Sequence, residues 1–211
     1  DLPGYDSLPM HFKKNGYYTI SNGKVYHHRT DDREAWSEEP WHPKGEWVGR
    51  GYMKPVNQDI AKKSEKGVGP AWESAEVEDS EYPDGKIADK SIDDLQKLAQ
   101  NDQPFFLAVG FKKPHLPFNA PKKYWEMYDR QKLDLADNPF KPKNAPECSL
   151  HNWGELRQYH GIQKKGPLSN EQARSMIHGY SACVSYTDAQ IGRILDELGR
   201  LGLKESTVVI L

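Results

Sequence analysis

The sequence predicts an α/β fold built on a mostly parallel sheet, and three observations carry that reading. Short apolar or β-branched runs recur at 17–21 ("YYTIS"), 105–110 ("FFLAVG") and 207–211 ("TVVIL"). Helical patterns ending in glycine or asparagine precede these runs, which is the α-to-β half of an α/β repeat. The run at 105–110 is apolar on both faces, as a parallel strand covered on both sides must be.

The elements follow in order. Ser7 is placed to cap a short helix, Pro9 suits its first turn, and Asn15-Gly16 stops it before the strand at 17–21. Residues 29–90 are rich in Asp, Glu, Lys, Gly and Trp, with no sustained period, and read as a long irregular insertion. "SIDDLQKLAQN" (91–101) returns to helix, with Ser91 and Asp94 as a capping-box-like pair and Ile92, Leu95 and Leu98 on one face. The strand at 105–110 follows. Residues 119–170 form a second irregular stretch, with Pro121, Pro139, Pro142, Pro146 and Pro167, and about 130–165 reads as a second long irregular insertion. From Ser169, paired with Gln172, a long helix is expected with Met176, Ile177, Tyr180, Val184, Ile191, Leu195 and Leu198 as its apolar stripe. Gly199 and Gly202 end it before the strand at 207–211.

Composition narrows the function. The 211 residues carry 29 Lys+Arg against 31 Asp+Glu, so nothing electrostatic favours nucleic acid or an anionic membrane as partner. Mean hydropathy is −0.89, yet six Trp and eleven Tyr argue against disorder. The reading is a folded domain with long polar loops. No apolar run approaches a membrane span, and the start "DLPGYDSLPMHF" is neither an initiator methionine nor a targeting segment. Cys148 and Cys183 are too few for a disulfide framework and form no C-x-x-C pair, so buried free thiols are expected.

Three clusters could carry chemistry. Lys24, His27 and His28 follow the first strand; Lys112, Lys113 and His115 follow the second. In a parallel sheet both loops leave from carboxyl ends and can converge on one crevice. Lysine supplies a point charge and histidine a directed donor or general acid, a combination suited to a sulfate or phosphate. Pro114 and Pro117 bracket His115 and stiffen its loop. The alternative is a set of ordinary surface cations. The third cluster, "CSLHNWGELRQY", places His151, Asn152, Trp153, Glu155 and Arg157 within seven residues. It suits a sugar-binding surface, or equally a structural ion pair beside a tryptophan. No His-Glu-x-x-His, no Asp-x-Asp calcium loop, no Gly-x-Ser-x-Gly and no P-loop occurs.

The phrases "FKKNGYYTISNGKVYHH", "PFFLAVGFKKPHLPFNAPKKYWEMY" and "GYSACVSYTDAQIGRILDELGRLGLKESTVVIL" together resemble the type I, formylglycine-dependent sulfatases, in the iduronate-2-sulfatase-like branch. The resemblance runs from about Leu8 to Leu211 and is weakest across 30–90 and 130–165. It implies an alkaline-phosphatase-like sandwich, a large mostly parallel sheet between helices, and hydrolysis of sulfate esters of a glycan. It also implies roles. Lys24 and His27, in Gly-Lys-x-x-His, would contact the sulfate ester and the catalytic aldehyde. His115, in Lys-Pro-His-x-Pro-Phe, would bind the sulfate and assist the leaving group, with Lys113 in support. His151, Glu155 and Arg157 would be sugar contacts. A periplasmic or secreted location, Ca²⁺ and a formylglycine nucleophile are implied as well.

Neither cysteine lies in the family's Cys-x-Pro/Ala-x-Arg motif, and neither the Asp-Asp calcium ligands nor the Asp-His/Asn-Gly segment is present. The expectation is therefore that residues 1–211 form the central part of a sulfatase catalytic domain and need the remaining segments of that domain as partners. On its own this polypeptide is expected to be inactive. Two alternatives stand beside this one: a non-catalytic glycan- or anion-binding protein, and a phosphoester or phosphonate hydrolase of the same superfamily.

Overall fold

The computed structural model describes residues 4–27, 32–44 and 51–211. They form two compact units. The first comprises the described residues of Asp1–Glu46, Pro83–Lys112 and Thr187–Leu211; the second, those of Trp47–Tyr82 and Lys113–Tyr186. No described helix is long and apolar enough to cross a membrane.

In the first unit, helix α1 (Leu8–Lys14) starts where Ser7 Oγ accepts from Met10 N at 3.3 Å, with Pro9 in its first turn. Strand β1 (Tyr18–Gly23) pairs in parallel with strand β3 (Phe105–Gly110), in register from Tyr18 opposite Phe105 to Gly23 opposite Gly110. Phe12 of α1 stacks on Phe106 of β3 at 4.7 Å, which fastens the helix to the strand pair.

Two of the expected boundaries change here. Helix α3 spans Pro83–Leu98, eight residues earlier than the sequence suggested, so Ser91 and Asp94 lie inside it and cap nothing. Both are buried; Asn22 of β1 donates to Ser91 Oγ at 3.2 Å and to Asp94 Oδ2 at 2.9 Å. The true start is Pro83, whose fixed φ suits a first helical turn, although the following Asp-Gly reads locally as a turn. The second change concerns Thr207–Leu211. It has strand composition but no ladder partner among the described residues, and Val208 and Ile210 are exposed. Composition sets a propensity, whereas a strand exists only through a neighbour's hydrogen bonds. The segment lines an apolar groove with Phe105, Leu107 and Val109 of β3 and Ile194.

The second unit contains helix α2 (Pro55–Lys63), strand β2 (Trp72–Ala75), strand β4 (Phe118–Pro121), helix α4 (Lys122–Trp125) and part of helix α5 (Asn170–Arg200). β2 and β4 pair in parallel, Trp72 opposite Phe118 through Ala75 opposite Pro121. Thus α2, β2 and the start of α3 lie within 29–90, where the sequence suggested irregular chain. Four-residue strands and a nine-residue helix are too short to establish a period against scattered Gly and Pro. Glu73, buried in β2, organises this region. Its Oε1 accepts from Met53 N at 2.7 Å and Tyr82 Oη at 2.8 Å; its Oε2 accepts from Lys54 N at 3.0 Å and Asn57 Nδ2 at 2.8 Å. The carboxylate thereby satisfies donors at the start of α2, where a helix favours negative charge. Burial first, then the Glu73 charge, pushes the Tyr82 hydroxyl well above its ordinary pKa.

α5 begins with the expected reciprocal cap: Gln172 N donates to Ser169 Oγ at 3.2 Å, and Ser169 N donates to Gln172 Oε1 at 3.3 Å. Its buried face matches the expected stripe at Leu198 and otherwise differs from it. Ser175, Gly179, Ala182, Cys183, Tyr186 and Gln190 are buried, while Tyr180, Val184 and Leu195 are exposed. Close approach is the reason. A Cβ at Gly179 would lie 2.9 Å from Phe118 Cβ and from the Trp125 ring, so small residues form the contact and bulky ones turn away. Of the cysteines, Cys183 is buried as expected and Cys148 is exposed.

Candidate active site

In the first unit the loops after β1 and β3 leave side by side. Lys24 N donates to Gly110 O at 2.7 Å, continuing the ladder past Gly23. Neither glycine can be replaced without displacing something. A Cβ at Gly110 would overlap the Lys24 carbonyl group and Val25 N. One at Gly23, where φ is +75°, would overlap Gly110 O and the Ile87 side chain. Lys24 is half-buried beside this junction, His27 is exposed, and His28 lies outside the described residues. Two residues beyond Gly110, Lys112 N donates to the buried Asp84 at 2.9 Å, which fixes the path by which the chain leaves β3.

Lys113, His115, His151, Glu155 and Arg157 belong to the second unit. The Lys113–Pro114 and Leu116–Pro117 peptide bonds are both cis. Lys113 Nζ turns back to donate to Pro117 O at 2.5 Å and to His115 O at 3.3 Å, closing the loop around the histidine. His115 Nδ1 lies 2.7 Å from Leu116 O. A carbonyl oxygen only accepts, so Nδ1 carries the proton, and Nε2 is the ring atom left for a ligand. That Nε2 lies 3.7 Å from Glu155 Oε2.

The local sequence explains the meeting. Leu116 and Leu156 each follow one of the two site residues, and both pack against the cluster of Val68, Ala71, Tyr159 and Ile162. Burial of the two leucines draws together the two loops that carry His115 and Glu155.

Arg157 is placed differently from a sugar contact. Its Nε donates to Asn152 O at 3.2 Å, and its terminal nitrogens donate to Gln163 O at 3.1 Å and Gly166 O at 2.7 Å. It clasps three backbone points of the loop that presents Glu155, and the sequence alone shows no sign of this use. His151 Nδ1 accepts from Trp153 N at 3.1 Å, and the two rings lie 4.3 Å apart. Trp153 itself has φ +52°, a conformation that costs a bulky residue about 1–3 kcal/mol.

Among the described residues no three His, Cys, Asp or Glu side chains gather in metal-ligating geometry. Cys148 is followed by Ser-Leu-His and Cys183 lies inside α5. Among the described residues, therefore, no set fits a calcium site, and neither cysteine fits a formylglycine motif.

The comparisons with known proteins agree with this architecture. The chain is 32% identical to the iduronate 2-sulfatases of Mus musculus and Homo sapiens, over 97% of its own length and 39% of theirs. A sulfatase of Formosa agariphila is 27% identical over 97% of the chain and 40% of that protein. The chain thus spans about two fifths of the length of these relatives. The solved structure of a phosphonate monoester hydrolase from Agrobacterium radiobacter superposes with a TM-score of 0.57. It is 19% identical and covers 97% of this chain and 46% of that one, so the shared α/β architecture is the alkaline-phosphatase-like fold. The sequence pattern of the Sulfatase family matches residues 2–211, and the chain belongs to that family.

Proposed function

We propose that the complete protein is a sulfuric ester hydrolase acting on a sulfated glycan, in the manner of its iduronate-2-sulfatase-like relatives, with His115 as general acid. One observation carries this reading: Nδ1 of His115 is bound to Leu116 O, so Nε2, 3.7 Å from Glu155 Oε2, is the ring atom that can meet a ligand. A ring held in that tautomer donates from Nε2 only as the imidazolium. In that form it neutralises a sulfate oxygen, or gives its proton to the leaving alcohol oxygen as the S–O bond breaks. Lys24 and His27 are proposed as sulfate contacts from the family resemblance alone, and within the second unit Lys113 and Arg157 hold the loops that present His115 and Glu155. Ca²⁺ and the formylglycine nucleophile belong, on this proposal, to segments outside residues 1–211, and a periplasmic or secreted location goes with the substrate.

The test uses the complete protein. His115→Ala should lower kcat by roughly 10²-fold or more on a sugar sulfate, whose alkoxide leaves poorly, and far less on an aryl sulfate with an acidic phenol. Equal losses on both substrates would remove the general-acid role. Faster turnover of an aryl phosphonate than of any sulfate ester would favour the hydrolase named in the structural neighbour. Glycan binding without turnover would favour a non-catalytic binding protein.

A further inference from the structure

Asp84, in the first turn of α3, is only 1% exposed. Taking a carboxyl group out of water is costly, and an apolar residue of similar size is often no less stable in its place. The positive end of the helix offsets part of that cost. Yet α3 has other anchors: Ile87, Ala88, Leu95 and Leu98 are buried, and Asn22 of β1 donates to Ser91 and Asp94. What Asp84 holds is a loop. Its Oδ1 accepts from Lys112 N at 2.9 Å, two residues past the end of β3. The same end of α3 meets the exit of β1, where a Cβ at Gly23 would lie 2.6 Å from Ile87 Cδ1. Between the two exits, Gly110 O accepts from Lys24 N at 2.7 Å, and the Cα of Gly110 faces the Lys24 carbonyl group with no room for one more carbon. Gly110 is thus seated against Lys24 on one side, and the chain on its other side is held by Asp84. A junction packed this closely transmits a shift instead of absorbing it.

We propose that Asp84 is a positioning residue: by holding Lys112 N it keeps Gly110 against the backbone of Lys24, and so sets where the Lys24 ammonium meets the ester. This rests on the proposed sulfatase reading, in which Lys24 is a sulfate contact. The position requires one hydrogen-bond acceptor at the right reach, not a particular packing volume. Asparagine keeps an oxygen at that reach. Serine keeps a polar atom in the first turn of the helix but falls one bond short of Lys112 N, and alanine has no acceptor.

The experiment compares wild type, Asp84→Asn, Asp84→Ser and Asp84→Ala in the complete protein, at a temperature where circular dichroism shows each to be folded. Expected for Ser and Ala is a loss of ~10-fold or more in kcat/KM on a sulfated disaccharide, with Asn within about 3-fold of wild type. Should Asp84→Ala not fold, Ser against Asn decides. Amide hydrogen exchange gives a readout that needs no turnover. In Ser and Ala the amides of Lys24 and Lys112 should exchange ~10-fold faster or more, while those of the β1–β3 ladder rise far less. In Asn both should stay protected. Equal losses in Asn and Ser, or full turnover in Ser and Ala, would overturn the proposal. So would exchange that rises uniformly along the ladder, which is what a purely structural role gives. If no form turns over sulfate while exchange at Lys24 responds as described, the positioning of Lys24 stands and the hydrolase reading falls.

Discussion

Gly110→Ala tests the junction that sets the backbone of Lys24. A Cβ at Gly110 would fall inside contact distance of the Lys24 carbonyl carbon and oxygen and of Val25 N, none of which belongs to a flexible side chain. Non-bonded carbons settle about 3.5 Å from such atoms, so the chain after β1 must retreat by roughly 1 Å or more. That motion opposes the 2.7 Å bond from Lys24 N to Gly110 O. Overpacking of this kind costs about 1–3 kcal/mol, and loss of the bond adds about 1 kcal/mol. The expected total is about 2–4 kcal/mol, or a fall of roughly 5–15 °C in Tm for a chain of this size. On the proposed function, a 1 Å displacement of Lys24 in the complete protein should also lower kcat/KM by about 10²-fold. Gly192→Ala and Gly199→Ala are the controls. Both sit in α5 with open space around a new Cβ, and alanine there should be neutral or stabilising by up to about 1 kcal/mol. Urea unfolding, followed by circular dichroism, reads all three. A Gly110→Ala protein with the midpoint of wild type and undiminished turnover would refute the close approach.

Glu73→Gln exchanges one carboxylate oxygen for an amide that cannot accept, stranding two of the four donors around it. A loss of about 2–4 kcal/mol is expected, seen as a lower urea midpoint at unchanged m-value; an unchanged midpoint would mean that Glu73 is not the organising acceptor of the second unit. The Glu197 carboxyl, hydrogen-bonded by Arg200 and then by Gln96, is held down from 4.5 to about 2. A depressed carboxyl contributes stability above its unfolded pKa and loses it as the pH falls through the folded one. Wild type should therefore lose more of its urea midpoint between pH 4.5 and 2 than Glu197→Gln does, and parallel curves for the two proteins would contradict the pairing.

Much of the architecture was legible before any coordinates. Ser7, Asn15-Gly16 and the Ser169–Gln172 box act locally, through hydrogen bonds to residues three or four positions away, and the structure contains each as read. The run at 105–110 was legible as a strand, but its residues are only half-buried, because among the described residues it pairs with β1 alone. β2 and β4 were not legible, because four-residue strands make no period and exist only through each other. The buried face of α5 was misread for a related reason: close packing at Gly179 favours small residues, while hydropathy patterns favour large ones.

The candidate site divides in the same way. By itself the sequence determined which residue types are present and which loops carry them: Lys24 and His27 after β1, His115 between two prolines, Glu155 beside Trp153. Only the tertiary structure decided what each does with its atoms. It placed His115 Nδ1 on Leu116 O and brought Glu155 to Nε2 across thirty-nine intervening residues. It also turned Arg157 and Lys113 inward onto backbone carbonyls. The physical reason is that a hydrogen bond depends on where two groups meet in space. For groups distant along the chain, that meeting is set by the burial of neighbours such as Leu116 and Leu156, which carry no chemistry of their own.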